Sequence, residues 1–77
     1  MRATVSMTLD LRGLADPLLV ARTGVAMAGL RSGELIEVLT TDRDAVRDLT
    51  VWARASGNRL VEQTEGRDFY RFLFRKR

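Results

Sequence analysis

The spacing of the apolar residues changes within the first third of the chain, and that change limits the fold more than any other feature. Val5, Met7 and Leu9 alternate with Thr4, Ser6 and Thr8, the two-residue period of a half-buried strand. From Pro17 the period lengthens. Leu18, Ala21, Val25 and Ala28 recur at three and four residues, with Met27 beside them. This predicts a helix reaching about Ala28 that buries that stripe. Asp16 is a candidate N-cap, and Pro17 suits the first helical position, where its missing N–H costs nothing. The connection from Asp10 to Ala15 contains Gly13, and Gly29 with Ser32-Gly33 ends the helix.

The rest of the chain repeats the theme. Leu35, Ile36, Val38 and Leu39, broken only by Glu37, predict a central strand over Glu34 to Thr40, covered on both faces. Asp42 is a second candidate N-cap, for a helix over Arg43 to Ala55. Its stripe is Ala45, Val46, Leu49, Trp52 and Ala53, with Asp44, Arg47, Asp48 and Arg54 outside. Ser56-Gly57-Asn58 stops it. Arg59 to Thr64 reads as a strand, Glu65 to Asp68 as a turn and Phe69 to Arg75 as a final strand. In that last strand Tyr70, Phe72 and Phe74 share the covered face, and Arg71 and Arg75 lie opposite. The order β-α-β-α-β-β predicts an α/β two-layer sandwich: a four-stranded mixed sheet with two helices on one face, joined by right-handed crossovers.

Seventy-seven residues suit a single domain over 1–77, with a small core burying roughly 60% of the unfolded surface. No apolar run approaches the ~20 residues of a membrane span, and residues 1 to 10 lack a signal-peptide pattern, so a cytoplasmic protein with no membrane contact is expected. The chain has neither cysteine nor histidine. Disulfides, thiolate metal sites and imidazole base catalysis are therefore excluded. No phosphate-binding glycine pattern occurs among its six glycines. Neither a cofactor nor enzymatic activity is expected.

One motif stands where the period changes: Gly13-Leu14-Ala15-Asp16-Pro17. It resembles the Gly-Leu-x-Cys-Pro-x-Pro pattern of the TusA/SirA sulfur-carrier family, whose cysteine carries sulfur as a persulfide. The resemblance continues in Leu9-Asp10, Thr41-Asp42, Asp48-Leu49 and the closing Tyr70-Arg71-Phe72-Leu73-Phe74-Arg75-Lys76, and covers essentially the whole chain. Asp16 occupies the cysteine position, Leu19 that of the second proline, and Val25 stands near a frequent helix-one lysine. The family resemblance implies the predicted fold and a sulfur-relay setting. Lacking a thiol, the chain itself is expected to serve as a non-catalytic interaction or regulatory module.

Two readings of Asp16 follow from its place. It is either a helix cap alone, stabilising by about 1 kcal/mol, or an exposed anion at the tip that meets a protein partner, with Gly13, Leu14, Pro17 and Leu19 around it. A helix N-terminus lowers a carboxyl pKa, which makes Asp16 a poor proton donor. Asp10, Asp16 and Asp42 sit near element ends, where hard cations could be held, but capping explains them without metal. Trp52 is either core or a partner anchor. An alternative function is nucleic-acid binding through the basic C-terminal strand and tail, Arg71, Arg75, Lys76 and Arg77. Twelve of the thirteen basic residues are arginine, the residue suited to phosphate. Monomer and edge-paired homodimer both remain open.

Overall fold

The computed structural model describes residues 4–77. Its elements are β1 (Val5–Asp10), α1 (Leu18–Ala28), β2 (Leu35–Thr40), α2 (Ala45–Ser56), β3 (Arg59–Glu65) and β4 (Tyr70–Arg75). The strands form one sheet in the order β1-β2-β4-β3. β1 is parallel to β2, and β4 is antiparallel to both β2 and β3. The chain therefore leaves β2 through α2, takes the far edge as β3, and turns back so that β4 fills the gap between them. Two crossovers of one hand place both helices on the same face.

The core lies between that face and the helices. Ile36 and Val38 of β2 and Phe72 and Phe74 of β4 meet Leu11, Leu19, Met27, Ala45, Leu49 and Ala53, all at most 3% exposed. Each buried Leu, Ile, Phe or Met contributes about 1.5–3 kcal/mol of transfer free energy. Phe74 sits between two rings, edge-on to Trp52 at 5.3 Å and stacked on Phe72 at 6.0 Å. The Ala45, Leu49 and Ala53 stripe of α2 is buried as its spacing predicts, and half-buried Trp52 packs at its margin.

α1 departs from expectation. Leu19, Thr23 and Met27 are buried, whereas Leu18, Ala21, Val25 and Ala28 are exposed. The helix is turned by roughly 100°, one residue, from the predicted stripe. A buried threonine is tolerated there because its hydroxyl donates to the Leu19 carbonyl at 3.0 Å, leaving no polar group unpaired. The β1 alternation also breaks. The register shifts between Val5 and Met7, so Val5 pairs with Leu35 on the open face while Met7 and Leu9 stay with Ile36 and Val38.

Both helix starts lie later than the sequence implies. Pro17 itself is the N-cap of α1, and Asp44, not Asp42, is that of α2. Asp42 closes the turn before α2 by accepting the Asp44 N–H at 3.0 Å. α2 ends at Gly57, whose φ of +75° is the left-handed C-cap that glycine adopts without a Cβ clash. No described helix is long and apolar enough to cross a membrane.

Candidate functional site

The segment Leu11 to Pro17 joins β1 to α1 beyond the C-terminal ends of the two parallel strands. That edge is where open α/β sheets present ligand-contacting loops. Leu11 pins the segment: its side chain is 2% exposed and its N–H extends the sheet to the Leu39 carbonyl at 2.8 Å. Gly13 donates its N–H to Thr41 Oγ1 at 2.9 Å, which ties the motif to the end of β2. Asp10 and Arg12 form a two-pronged pair at 2.9 and 2.7 Å. The Arg12 guanidinium lowers the Asp10 pKa to about 2 and also lies over the Phe69 ring at 5.3 Å.

Asp16 follows at the mouth of α1, joined to Pro17 by a cis peptide. Its Oδ1 accepts the Val20 N–H at 3.1 Å. Asp16 thus lies one residue before the N-cap Pro17, and its bond to Val20 is not the N-cap bond expected of it. The electrostatics differ from a simple cap. Asp16 is half-buried and lines the same groove as Asp48, in the first turn of α2. Burial first, and Asp48 second, raise the Asp16 pKa, against the Val20 N–H which lowers it. Asp48 moves the opposite way, lowered first by the Asp16 carboxyl and then by Arg47 at 3.3 Å.

The signs follow from linkage. Asp16 contributes stability below its unfolded pKa and loses it as pH rises through its higher folded value. Asp48 contributes above its unfolded pKa and loses that as pH falls through its lower folded value. The pair is most favourable when it carries one proton. Asp48→Asn is expected to bring the Asp16 pKa down, since it removes a like charge. Carboxyl NMR titration of the two proteins checks this, and an unchanged Asp16 midpoint would show that the two groups are uncoupled.

Beside the pair opens a groove of about 450 Å³ between the helices, lined by Asp16, Pro17, Val20, Asp48, Val51 and Trp52. Of the residues foreseen at the tip, Gly13 and Pro17 are exposed, and Leu14 and Asp16 are half-buried. Leu19 is not part of any contact surface: its side chain is wholly buried in the core. Asp48, which sequence reading left on the outer face of the second helix, is the residue it missed. No local signal could bring together two aspartates so far apart in the chain.

The basic residues of the last strand and tail differ in their surroundings. Arg71 is bound to Glu37 and also pairs with Glu62 at 3.6 Å. Glu37 is held below the usual carboxylate range by Arg71 and by the Thr8 hydroxyl. Phe69, the aromatic nearest that face, is covered by Arg12. Lys76 and Arg77 lie at the opposite end of the helices, in a groove with Trp52 and Asn58, and Arg75 is exposed at the end of β4. Arg71 is thus engaged by carboxylates on the sheet, away from the groove that Lys76 and Arg77 share, and the nucleic-acid alternative finds no support. Among the described residues no three carboxylates are placed to share a metal ion.

The family model described as Sulfurtransferase TusA matches residues 7–76. The Bacillus subtilis protein YrkI, named as a candidate sulfur carrier, is 44% identical over 68 residues, covering 88% of this chain and 91% of its own. The sulfur carrier protein TusA of Allochromatium vinosum is 34% identical over 68 residues, covering 88% and 90%. The crystal structure of a SirA-like protein from Desulfitobacterium hafniense superposes with a TM-score of 0.79 over 90% of this chain and 95% of that one. At 22% identity it is a likeness of fold.

Proposed function

The chain belongs to the TusA family, and on that premise we propose that it works without carrying sulfur, as a cytoplasmic interaction module docking a protein of a sulfur-relay or related pathway. The observation that carries this reading is the substitution at the tip. The family pattern puts cysteine where this chain has Asp16, and no cysteine exists elsewhere in its 77 residues. A carboxyl cannot form a persulfide. What the loop retains is its presentation: Leu11, Gly13 and Thr41 hold it against the sheet, and Asp16 stands at the groove between the helices. A partner that recognises this tip meets an acidic pair where a carrier would offer sulfur.

The test is affinity capture from native lysate on the tagged protein, after nuclease treatment, with the wild type and Asp16→Arg. The arginine reverses charge at a half-buried surface position and leaves the core untouched. Retention of a discrete partner is expected to fall at least about tenfold, a loss on the order of 1.4 kcal/mol, with the circular dichroism spectrum unchanged. Undiminished retention by the folded variant removes the tip as the contact.

A further inference from the structure

The groove beside the acidic pair has a composition of its own within a chain of net charge +3. Pro17 and Val20 form one wall, and Val51, 60% exposed, and Trp52 the other. Exposed apolar walls rimmed by polar groups mark interaction surfaces. Its charged lining is acidic on both sides, Asp16 from the mouth of α1 and Asp48 from α2. Resting on the reading of the tip as a contact surface, we infer that this groove seats an arginine or lysine side chain of the partner protein, its charged head between the Asp16 and Asp48 carboxyls and an apolar neighbour against Val51 and Trp52.

Charge complementarity selects this occupant. In the free protein the Asp16 and Asp48 carboxyls line one groove, and the Asp48 charge is among the causes that raise the Asp16 pKa. A guanidinium or ammonium placed there neutralises both carboxyls, and bidentate pairing favours arginine. Its methylene stem lies along apolar walls, as long basic side chains do on protein surfaces. An acidic segment would meet two carboxyls and be repelled. The surrounding charges are few. From α2 come Asp48 itself and Arg47, which pairs with Asp48 and is 74% exposed. The turn before α2 adds Asp42, whose charge acts on Asp16. α1 contributes the Val20 N–H.

A seated cation favours the ionised form of both carboxyls, so affinity rises with pH through the range in which Asp16 titrates, by up to about tenfold per pH unit. The probe is an acetylated, amidated Gly-Leu-Arg-Leu-Gly peptide, followed by amide and indole NMR shifts of the full chain. A matched peptide with citrulline, uncharged and of similar shape, is the control. The expected result is shifts at Val20, Asp48, Val51 and the Trp52 indole, tightening as pH rises and at least about tenfold weaker with citrulline. Asp16→Asn/Asp48→Asn, close in shape and free of charge, is expected to lose the preference for arginine while keeping the fold.

Equal binding of the citrulline peptide, shifts located elsewhere, pH-independent affinity or no shifts at millimolar peptide each overturn the inference. Peptide-induced self-association with shifts at the β1 or β3 edges likewise overturns it in favour of a second copy. The capture experiment with Asp16→Arg is separate. If that variant loses its partner while the peptide ignores the groove, the tip is a contact and the groove is not its basic socket.

Discussion

Phe74→Ala is expected to lose about 3–5 kcal/mol of stability, the range for truncating a buried phenylalanine. The site offers little room for collapse. Phe74 is fully buried, pairs across the sheet with Ile36 on one side and Leu60 on the other, and is sandwiched between Trp52 and Phe72. Edge-to-face and stacked partners add about 0.5–1.5 kcal/mol beyond area. A 77-residue chain has a total of only about 4–12 kcal/mol at ordinary stability per residue. The loss is therefore a large share of the total, and is expected as a markedly lower urea midpoint at 25 °C, followed through Trp52 fluorescence. The companion is Val25→Ala. Val25 is 77% exposed, so its truncation should change stability by less than about 0.5 kcal/mol. A large loss at Val25 with a small one at Phe74 would mean that α1 buries its other face.

Asp16→Cys is expected to turn a chain that holds no sulfane sulfur into one that holds a single atom. With a low-molecular-weight persulfide as donor, the new thiolate attacks the outer donor sulfur. The donor S–S bond breaks, its inner sulfur leaves as a thiolate, and a protein persulfide remains, with no outside oxidant required. Intact mass should show one added sulfur atom, removable by dithiothreitol, and none on the wild type. Asp48 sets the rate. A carboxylate facing the new thiol disfavours the thiolate, so Asp16→Cys with Asp48→Asn should load faster at neutral pH than Asp16→Cys alone. A thiol at position 16 that stays unloaded, or equal rates in the two backgrounds, would overturn this picture of the tip.

The sheet and α2 were legible because their patterns admit one answer. Leu35, Ile36 and Val38 have no polar gap wide enough for a helix face, and Ala45, Leu49 and Ala53 leave α2 a single apolar stripe. α1 admits two. Leu18, Leu19, Val20, Ala21, Val25, Ala26, Met27 and Ala28 put apolar atoms nearly all around the helix, so periodicity cannot choose. Counting polar residues favours the stripe without Thr23, which is the wrong one. Thr23 is buried because its hydroxyl is satisfied within the helix, at the Leu19 carbonyl, a local bond that residue types do not announce. Leu11 was passed over as part of a connection, although it is the apolar anchor that holds the motif loop to the core.

At the site, the motif located Asp16 but not its chemistry. A helix mouth by itself predicts a lowered carboxyl pKa; burial and Asp48 reverse the sign. That reversal depends on how α2 lies beside α1, a tertiary fact with no counterpart in local sequence. The cap assignments failed for a smaller reason. Asp42 and Asp44 are both good N-cap residues, and the tight turn that uses the first leaves the helix start to the second.

The place of β4 has a consequence for how the chain is born. It is the last element in sequence, yet it lies between β2 and β3 and carries Phe72 and Phe74 into the core. On a ribosome, the first five elements emerge with a gap where the sheet's middle belongs, and nothing earlier in the chain can fill it. The nascent polypeptide must therefore wait, its apolar faces open to chaperones, until Tyr70 to Arg75 have cleared the exit tunnel. Folding of the sheet then closes around its sixth element rather than its first, through contacts of long sequence separation.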